Sequence, residues 1–280
     1  MENIIISNPK DFERKKQAII NAGKENLHIV SDFDRTLTKA FVNSKATPSL
    51  IAEFYNSDNL SKEFSEKAKE LAEKYYPIEI NPAIPIKEKK QKMIEWWTKV
   101  FDLFIQHKLN KKHLEKVVNK GNIMLREGAE ELLKTINNKN IPLLILSSSG
   151  IGEIIPLYLK KHKLLLPNIH IISNFFKWDS NGNAIEVKKP IIHVLNKGET
   201  AIKQYPIFNL IKNRKNIILL GDSLGDIDMA NGISHETIIK IGFLNYHIKE
   251  NLELFKQNFD IVILNDSSMD FVNDLLKNIL

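Results

Sequence analysis

At 280 residues the chain is long enough to bury a sizeable core, as one elaborate domain or two smaller ones. Its 43% hydrophobic and 26% charged content is that of an ordinary globular protein, and the absence of cysteine excludes disulfides, thiolate metal sites and thiol catalysis. The net charge of +6 comes from lysines scattered along the whole chain, which describes a solvated surface whose mild positive field favours a small phosphate ester, not a nucleic-acid stripe. The first apolar run is too short for an export signal and no run is long enough to span a membrane, so the expectation is a cytoplasmic monomer with neither a membrane nor a stable nucleic-acid partner.

In chain order, Asn8-Pro9 followed by Asp11 to Ala22 and then Gly23 predicts a helix with proline in its first turn and glycine at its end. Leu27 to Val30 then has the length and β-branched content of a buried strand, and the carboxylates of Asp32 and Asp34 follow at once. From Thr47-Pro48 to about Asn119 the period is helical. Phe64, Ala68, Leu71 and Tyr75 share one apolar face, and Met93, Trp96, Trp97, Val100, Phe101 and Phe104 share another. Between these faces, Pro77, Pro82 and Pro85 in YYPIEINPAIPI predict an irregular loop. The second half alternates short apolar runs, Ile141 to Leu146, Ile169 to Ile172, Ile217 to Leu220, Ile238 to Ile241 and Ile261 to Leu264, with helical or loop segments. That alternation predicts βαβ units in a mostly parallel sheet with helices on both faces.

Three of these strands end in polar clusters: Asp32 and Asp34, then Ser147 to Ser149, then Asp222, Ser223 and Asp226. Ligands of open α/β sheets bind beyond the carboxyl ends of the strands, so the clusters can converge on one crevice. Asp32, Asp34 and Asp222 offer the hard oxygen ligands that suit Mg²⁺ beside a substrate phosphate. Two carboxylates also allow divided labour, with Asp32 attacking phosphorus and Asp34 protonating the leaving oxygen and later activating water.

The blocks DFDRTLT at Asp32 to Thr38, a serine at a strand end, a downstream lysine and GDSLGD at Gly221 to Asp226 resemble, in order, the motifs of haloacid-dehalogenase-superfamily phosphatases. Further blocks resemble the cytosolic 5'-nucleotidase type III, or pyrimidine 5'-nucleotidase, family: EKYYPIEINP, IEWWTK, MLREG, SSGIGE, SNFF, HVLNK and NIILLGDSLGD. The resemblance implies a Rossmann-like α/β core (1–45 and 125–280) with a helical cap (46–124) inserted after the first strand. It implies a Mg²⁺-dependent 5'-nucleotidase that releases nucleoside and phosphate through an aspartyl phosphate. Residue by residue, Asp32 resembles the nucleophile, and Asp34 the acid/base, its backbone carbonyl also a metal ligand. Asp222 resembles the remaining metal ligand, and Ser148 with the backbone of Ser149 the phosphate site, with Ser147 as the neighbouring alternative. Lys197 resembles the lysine that neutralises the phosphate, and Asp226 a residue that helps to hold Lys197 or a metal-bound water. Glu79 resembles the glutamate that recognises the base. Trp96 and Trp97 serve as cap core or as a stacking surface, and their pairing resembles relatives that prefer 7-methylguanosine monophosphate. Val100 stands where the pyrimidine enzymes have a serine near the base, which leaves CMP, UMP and 7-methyl-GMP all open as substrates. The other readings are a phosphatase of another small metabolite such as phosphoserine, a nucleoside phosphotransferase, and a non-catalytic nucleotide- or RNA-binding protein. The intact set of nucleophile, acid/base, lysine and metal aspartate argues against the last.

Overall fold

The computed structural model describes residues 3–55, 60–231 and 235–280. Strand β1 (Ile4–Ile6) leads into helix α1 (Pro9–Ala22), whose amide at Asp11 is capped by the Asn8 side chain and whose end is turned by Gly23 at φ 77°. Strand β2 (Leu27–Ser31) is buried throughout, as a central parallel strand must be. A hairpin of β3 (Phe41–Val42) and β4 (Lys45–Ala46) opens the helical insertion, which comprises α2 (Ala52–Tyr55), α3 (Lys62–Ile80), α4 (Ile86–Gln106) and α5 (Lys111–Asn119). The chain then returns through α6 (Ala129–Asn138), β5 (Leu143–Leu146), α7 (Ile154–Lys161) and β6 (Ile169–Ile172), followed by a second hairpin of β7 (Phe176–Trp178) and β8 (Ala184–Val187). It closes with α8 (Ile207–Ile211), β9 (Asn216–Gly221), β10 (Thr237–Leu244), α9 (Ile248–Asn258), β11 (Ile261–Leu264) and α10 (Asp270–Ile279).

One seven-stranded sheet runs in the order β1-β11-β10-β9-β2-β5-β6, parallel except for the edge strand β1, which pairs antiparallel with β11. Successive residues of each strand feed opposite cores. Leu27, Ile29, Ile218 and Leu220 pack with Ile19, Leu133 and Leu276, whereas Val30, Ile217 and Leu219 pack with Ile207, Ile211 and Phe255. The chain order reverses direction at β2, so the carboxyl ends of β5, β2 and β9 lie side by side. That is where such a sheet opens a crevice.

Pro77 lies inside α3, so the segment predicted as an irregular loop from Tyr75 onward is helical as far as Ile80, and the turn is confined to Asn81 through Pro85. Proline deprives only the Glu73 carbonyl of its intrahelical donor, and both Glu73 and Pro77 are exposed, so water can replace that bond. Neither hairpin was legible in the sequence, since strands of two to four residues leave too short a pattern.

Gly242 sits in β10 directly under the ring of Phe259, where an added Cβ would lie 2.7 Å from ring carbons. Gly242→Ala is expected to destabilise the fold by about 1–3 kcal/mol through overpacking, read as a lower urea midpoint with an unchanged slope.

Candidate active site

Where β2 ends, the chain does not continue as a strand. Asp32 stays extended and donates its amide to Leu220 O at 3.0 Å, keeping it in register with β9. Asp34 is extended as well, and Arg35 then adopts a left-handed conformation at φ 61°, which a non-glycine residue holds only at a cost of order 1–3 kcal/mol. The result is a tight turn that points both carboxylates of Asp32 and Asp34 into a cavity of about 440 Å³.

Opposite Asp32 stands Lys197, whose ammonium lies 2.5 Å from Asp32 Oδ1 and 2.9 Å from Asp226 Oδ1; all three side chains are buried. Burial alone would depress the lysine, but Asp226 and Asp32 on either side raise it, so it stays charged. Burial pushes the Asp32 carboxyl up, to about 7, against the pull of Lys197. Asp226 has no free capacity. Its second oxygen accepts from the amides of Asp222 and Ser223 at 3.1 and 2.9 Å and from the Ser223 hydroxyl at 2.8 Å. Gly221 makes this packing possible, because a Cβ there would lie 2.4 Å from that of Asp226.

Oxygens of Asp32, Asp222 and Asp226 lie within 4.8 Å of one another. Burial and the charges of Asp226 and Asp32 hold the Asp222 carboxyl well above the usual range, with Arg35 opposing. Carboxylates so crowded suit a hard cation. Because Asp226 is already engaged by Lys197 and three donors, Asp32 and Asp222 are the carboxylates with capacity for it. Asp34, lifted to about 6 by burial, accepts the Leu50 amide at 3.2 Å, which ties it to the start of the helical insertion.

At the end of β5, Ser147, Ser148 and Ser149 all line the cavity; Ser147 is buried and its hydroxyl accepts the Ser149 amide at 3.1 Å, while Ser148 is half-buried. The Ser149 carbonyl accepts from Asn174, whose side chain also brackets Ile192 through both its amide and its carbonyl. Asn174 thus ties the serine turn to the segment leading to Lys197. The roof comes from the insertion: Tyr76 and Glu79 from α3, Trp96 and Trp97 from α4, and Ile51 and Tyr55 from the start of the block. The aromatic rings form a stack from Tyr75 to Trp96 (6.0 Å), to Trp97 (5.9 Å) and on to Phe101 (5.6 Å). Burial raises the Glu79 carboxyl, with Lys89 and Lys197 opposing.

The family model for pyrimidine 5'-nucleotidase (UMPH-1) matches residues 35–280. The chain belongs to the pyrimidine 5'-nucleotidase family. The human 7-methylguanosine phosphate-specific 5'-nucleotidase is 38% identical over 278 residues, spanning 99% of this chain and 92% of its own, and the Drosophila melanogaster protein of that name is 35% identical, spanning 96% and 85%. The crystal structure of cytosolic 5'-nucleotidase IIIB bound to cytidine superimposes with a TM-score of 0.91 at 34% identity, covering 100% of this chain and 94% of that one. A substrate-bound phosphoserine phosphatase, at 20% identity and a TM-score of 0.51, shares the fold. Membership sets the enzyme class: a 5'-nucleotidase, and so a phosphoric monoester hydrolase, on a haloacid-dehalogenase core with a cap.

In this family member, every residue singled out from the sequence for chemistry, Asp32, Asp34, Ser148, Ser149, Lys197, Asp222 and Glu79, lines the one cavity, and Asp226 lies directly behind it. Glu79 reaches it from the last turn of a helix and not from a loop. Val100 does not line the cavity; it lies one helical turn beyond Trp96 and is fully buried in the core of the insertion with Phe101 and Phe104. Arg35, Tyr76 and Asn174 were not singled out for roles at the site. The sequence carries a weak signal for Asn174 alone, a polar residue just beyond the end of an apolar strand.

Lys197 is presented by a turn that His193 caps: its Nδ1 accepts the Leu195 amide at 3.2 Å, and its own amide donates to Asn196 Oδ1 at 2.7 Å. Burial, aided by Lys90, holds this imidazole down at about 4, below its ordinary 6.5. A depressed base contributes stability in full above its unfolded value and loses it as pH falls from 6.5 towards 4. The melting temperature of the wild type is therefore expected to exceed that of His193→Asn by more at pH 7 than at pH 4.5, the gap narrowing through that window.

Proposed function

We propose that the protein hydrolyses nucleoside 5'-monophosphates, 7-methyl-GMP and CMP foremost, to nucleoside and inorganic phosphate, with Asp32 as nucleophile and Asp34 as acid/base. One observation carries this reading: a single cavity has the Asp32–Lys197 pair on its floor and Glu79, Trp96 and Trp97 on its roof. The floor suits a phosphoryl group and the roof suits a base.

In the first step an Asp32 oxygen attacks phosphorus while the bond to the 5'-oxygen breaks, and Asp34 gives that oxygen its proton. In the second, Asp34 takes a proton from water, which attacks the same phosphorus and returns Asp32 as carboxylate. Lys197 balances the charge of phosphate and phosphoenzyme, and Ser148 with the Ser149 amide holds the non-bridging oxygens. Mg²⁺ fits this donor set, with Asp32, Asp222 and the Asp34 carbonyl to hold it; bound there, it offsets the repulsion between carboxylate and phosphate dianion. Asp226 serves as support, keeping Lys197 in place. Residues 46–124 act as the cap, closing over the substrate and excluding bulk water. The relatives named cytosolic support a cytosolic setting.

On the roof, the parts of the Trp96 and Trp97 indoles that line the cavity pack against a base, and a 7-methylated purine, being cationic, gains a cation–π contribution of about 0.5–2 kcal/mol there. Glu79 accepts from an exocyclic amino group, which 7-methylguanine and cytosine share and uracil lacks. Phosphoserine has nothing to place against two indoles.

The expected outcome of a Mg²⁺-dependent phosphate-release panel is activity on 7-methyl-GMP and CMP, weaker activity on UMP, AMP and GMP, and background on phosphoserine and in Asp32→Asn. Glu79→Gln should lower kcat/KM on 7-methyl-GMP roughly 10- to 150-fold, the loss of a charge-assisted hydrogen bond. Phosphoserine hydrolysis matching that of the nucleotides would overturn the assignment.

A further inference from the structure

Arg126 is only 1% exposed, and the reaction described above makes no use of it. It sits where the chain returns from the insertion. There the outgoing and returning segments pair, with Lys39 N donating to Met124 O at 2.9 Å, Arg126 N to Leu37 O at 2.8 Å, and Thr38 bridged to Leu125. From this junction the guanidinium reaches under the turn that carries Asp34. Its Nε donates to Thr36 O at 2.8 Å, Nη2 to Arg35 O, and Nη1 to Ser267 O at 2.7 Å; the ring of Phe243 lies beneath it, 4.4 Å away.

Two partners complete the arrangement. Asp266 pairs with Nη1 at 3.0 Å and accepts the amides of Ala40 and Phe41 at 2.8 and 3.0 Å, gripping the outgoing segment. Asn245 donates at 3.1 Å to the same Arg35 carbonyl that Arg126 holds. Arg35 is the left-handed residue, and its amide is fixed as well, donating to Thr38 Oγ1 at 2.8 Å. The strained residue immediately after Asp34 is therefore locked at both its own N–H and its own C=O. A planar guanidinium with five donors in fixed directions can do this; a flexible ammonium cannot.

We propose that Arg126, with Asn245 and Asp266, is a positioning residue for Asp34, clamping the turn so that the carboxyl keeps its aim at the leaving oxygen while the cap moves beyond residue 41. Asp34 is held from both sides, by this clamp through the backbone and by the Leu50 amide from the cap entry. The inference rests on Asp34 being the general acid, and the test separates the two.

The readout is kcat/KM, which reports steps through departure of the first product, on 7-methyl-GMP and on p-nitrophenyl phosphate. The nucleoside oxygen needs a proton to leave, whereas p-nitrophenolate does not. Arg126→Lys is expected to lose about tenfold or more on the nucleotide and less than about threefold on the aryl ester. Asn245→Ala, which keeps the Arg126–Asp266 pair and guards against a lysine variant that fails to fold, is expected to show the same selectivity with a smaller loss. Equal losses on both esters, or a lower melting temperature with kcat/KM unchanged, would overturn the proposal. Asp34→Asn is run alongside. Selective loss there without selective loss in the clamp variants removes the clamp alone, while unselective loss in Asp34→Asn removes the acid role on which the clamp depends.

Discussion

Lys197 lies almost out of reach of solvent, and an ammonium so placed is sustainable only with opposite charge in direct contact. Asp32 and Asp226 provide it, and the three groups tie together parts of the chain far apart in sequence: the end of β2, the turn capped by His193, and the loop after β9. Much else at the site is arranged to keep that contact. Gly221 lets Asp226 approach, Ser223 and two amides consume its second oxygen, and the His193–Asn196 pair shapes the turn that delivers the lysine.

The sheet decides that these groups can meet at all. Because β5, β2 and β9 are adjacent and parallel, three loops separated by roughly a hundred residues emerge at one edge within reach of a single phosphate. The core side of the cavity concentrates charge and the cap side concentrates aromatic surface. The insertion leaves and rejoins the core through paired segments next to the turn that bears Asp34. Charge and aromatic surface are thereby carried by separate parts of the fold.

The strands and the acid clusters were legible because buried parallel strands read as unbroken apolar runs and because carboxylates following such runs have little structural reason to be there. Asp32, Asp34 and Asp222 stand out at strand ends, whereas Lys197 is named by family likeness alone. Pro77 misled, since the cost of proline in a helix depends on whether the orphaned carbonyl reaches water, a fact of tertiary structure. The burial of Val100 was not legible for a similar reason: one helix residue faces either a cavity or the core, and only packing decides. Arg126 leaves no local pattern in the sequence, because its guanidinium donates to carbonyls 90, 91 and 141 positions away.

The proposed hydrolysis turns on covalent attachment of phosphate to Asp32. Acid quenching of the enzyme during its first turnover of phosphate-labelled 7-methyl-GMP, followed by peptide mapping, tests it directly. The label is expected on the peptide containing Asp32, forming before free phosphate and absent from Asp32→Asn. Label on a different residue, or free phosphate released by Asp32→Asn at the wild-type rate, would contradict the account.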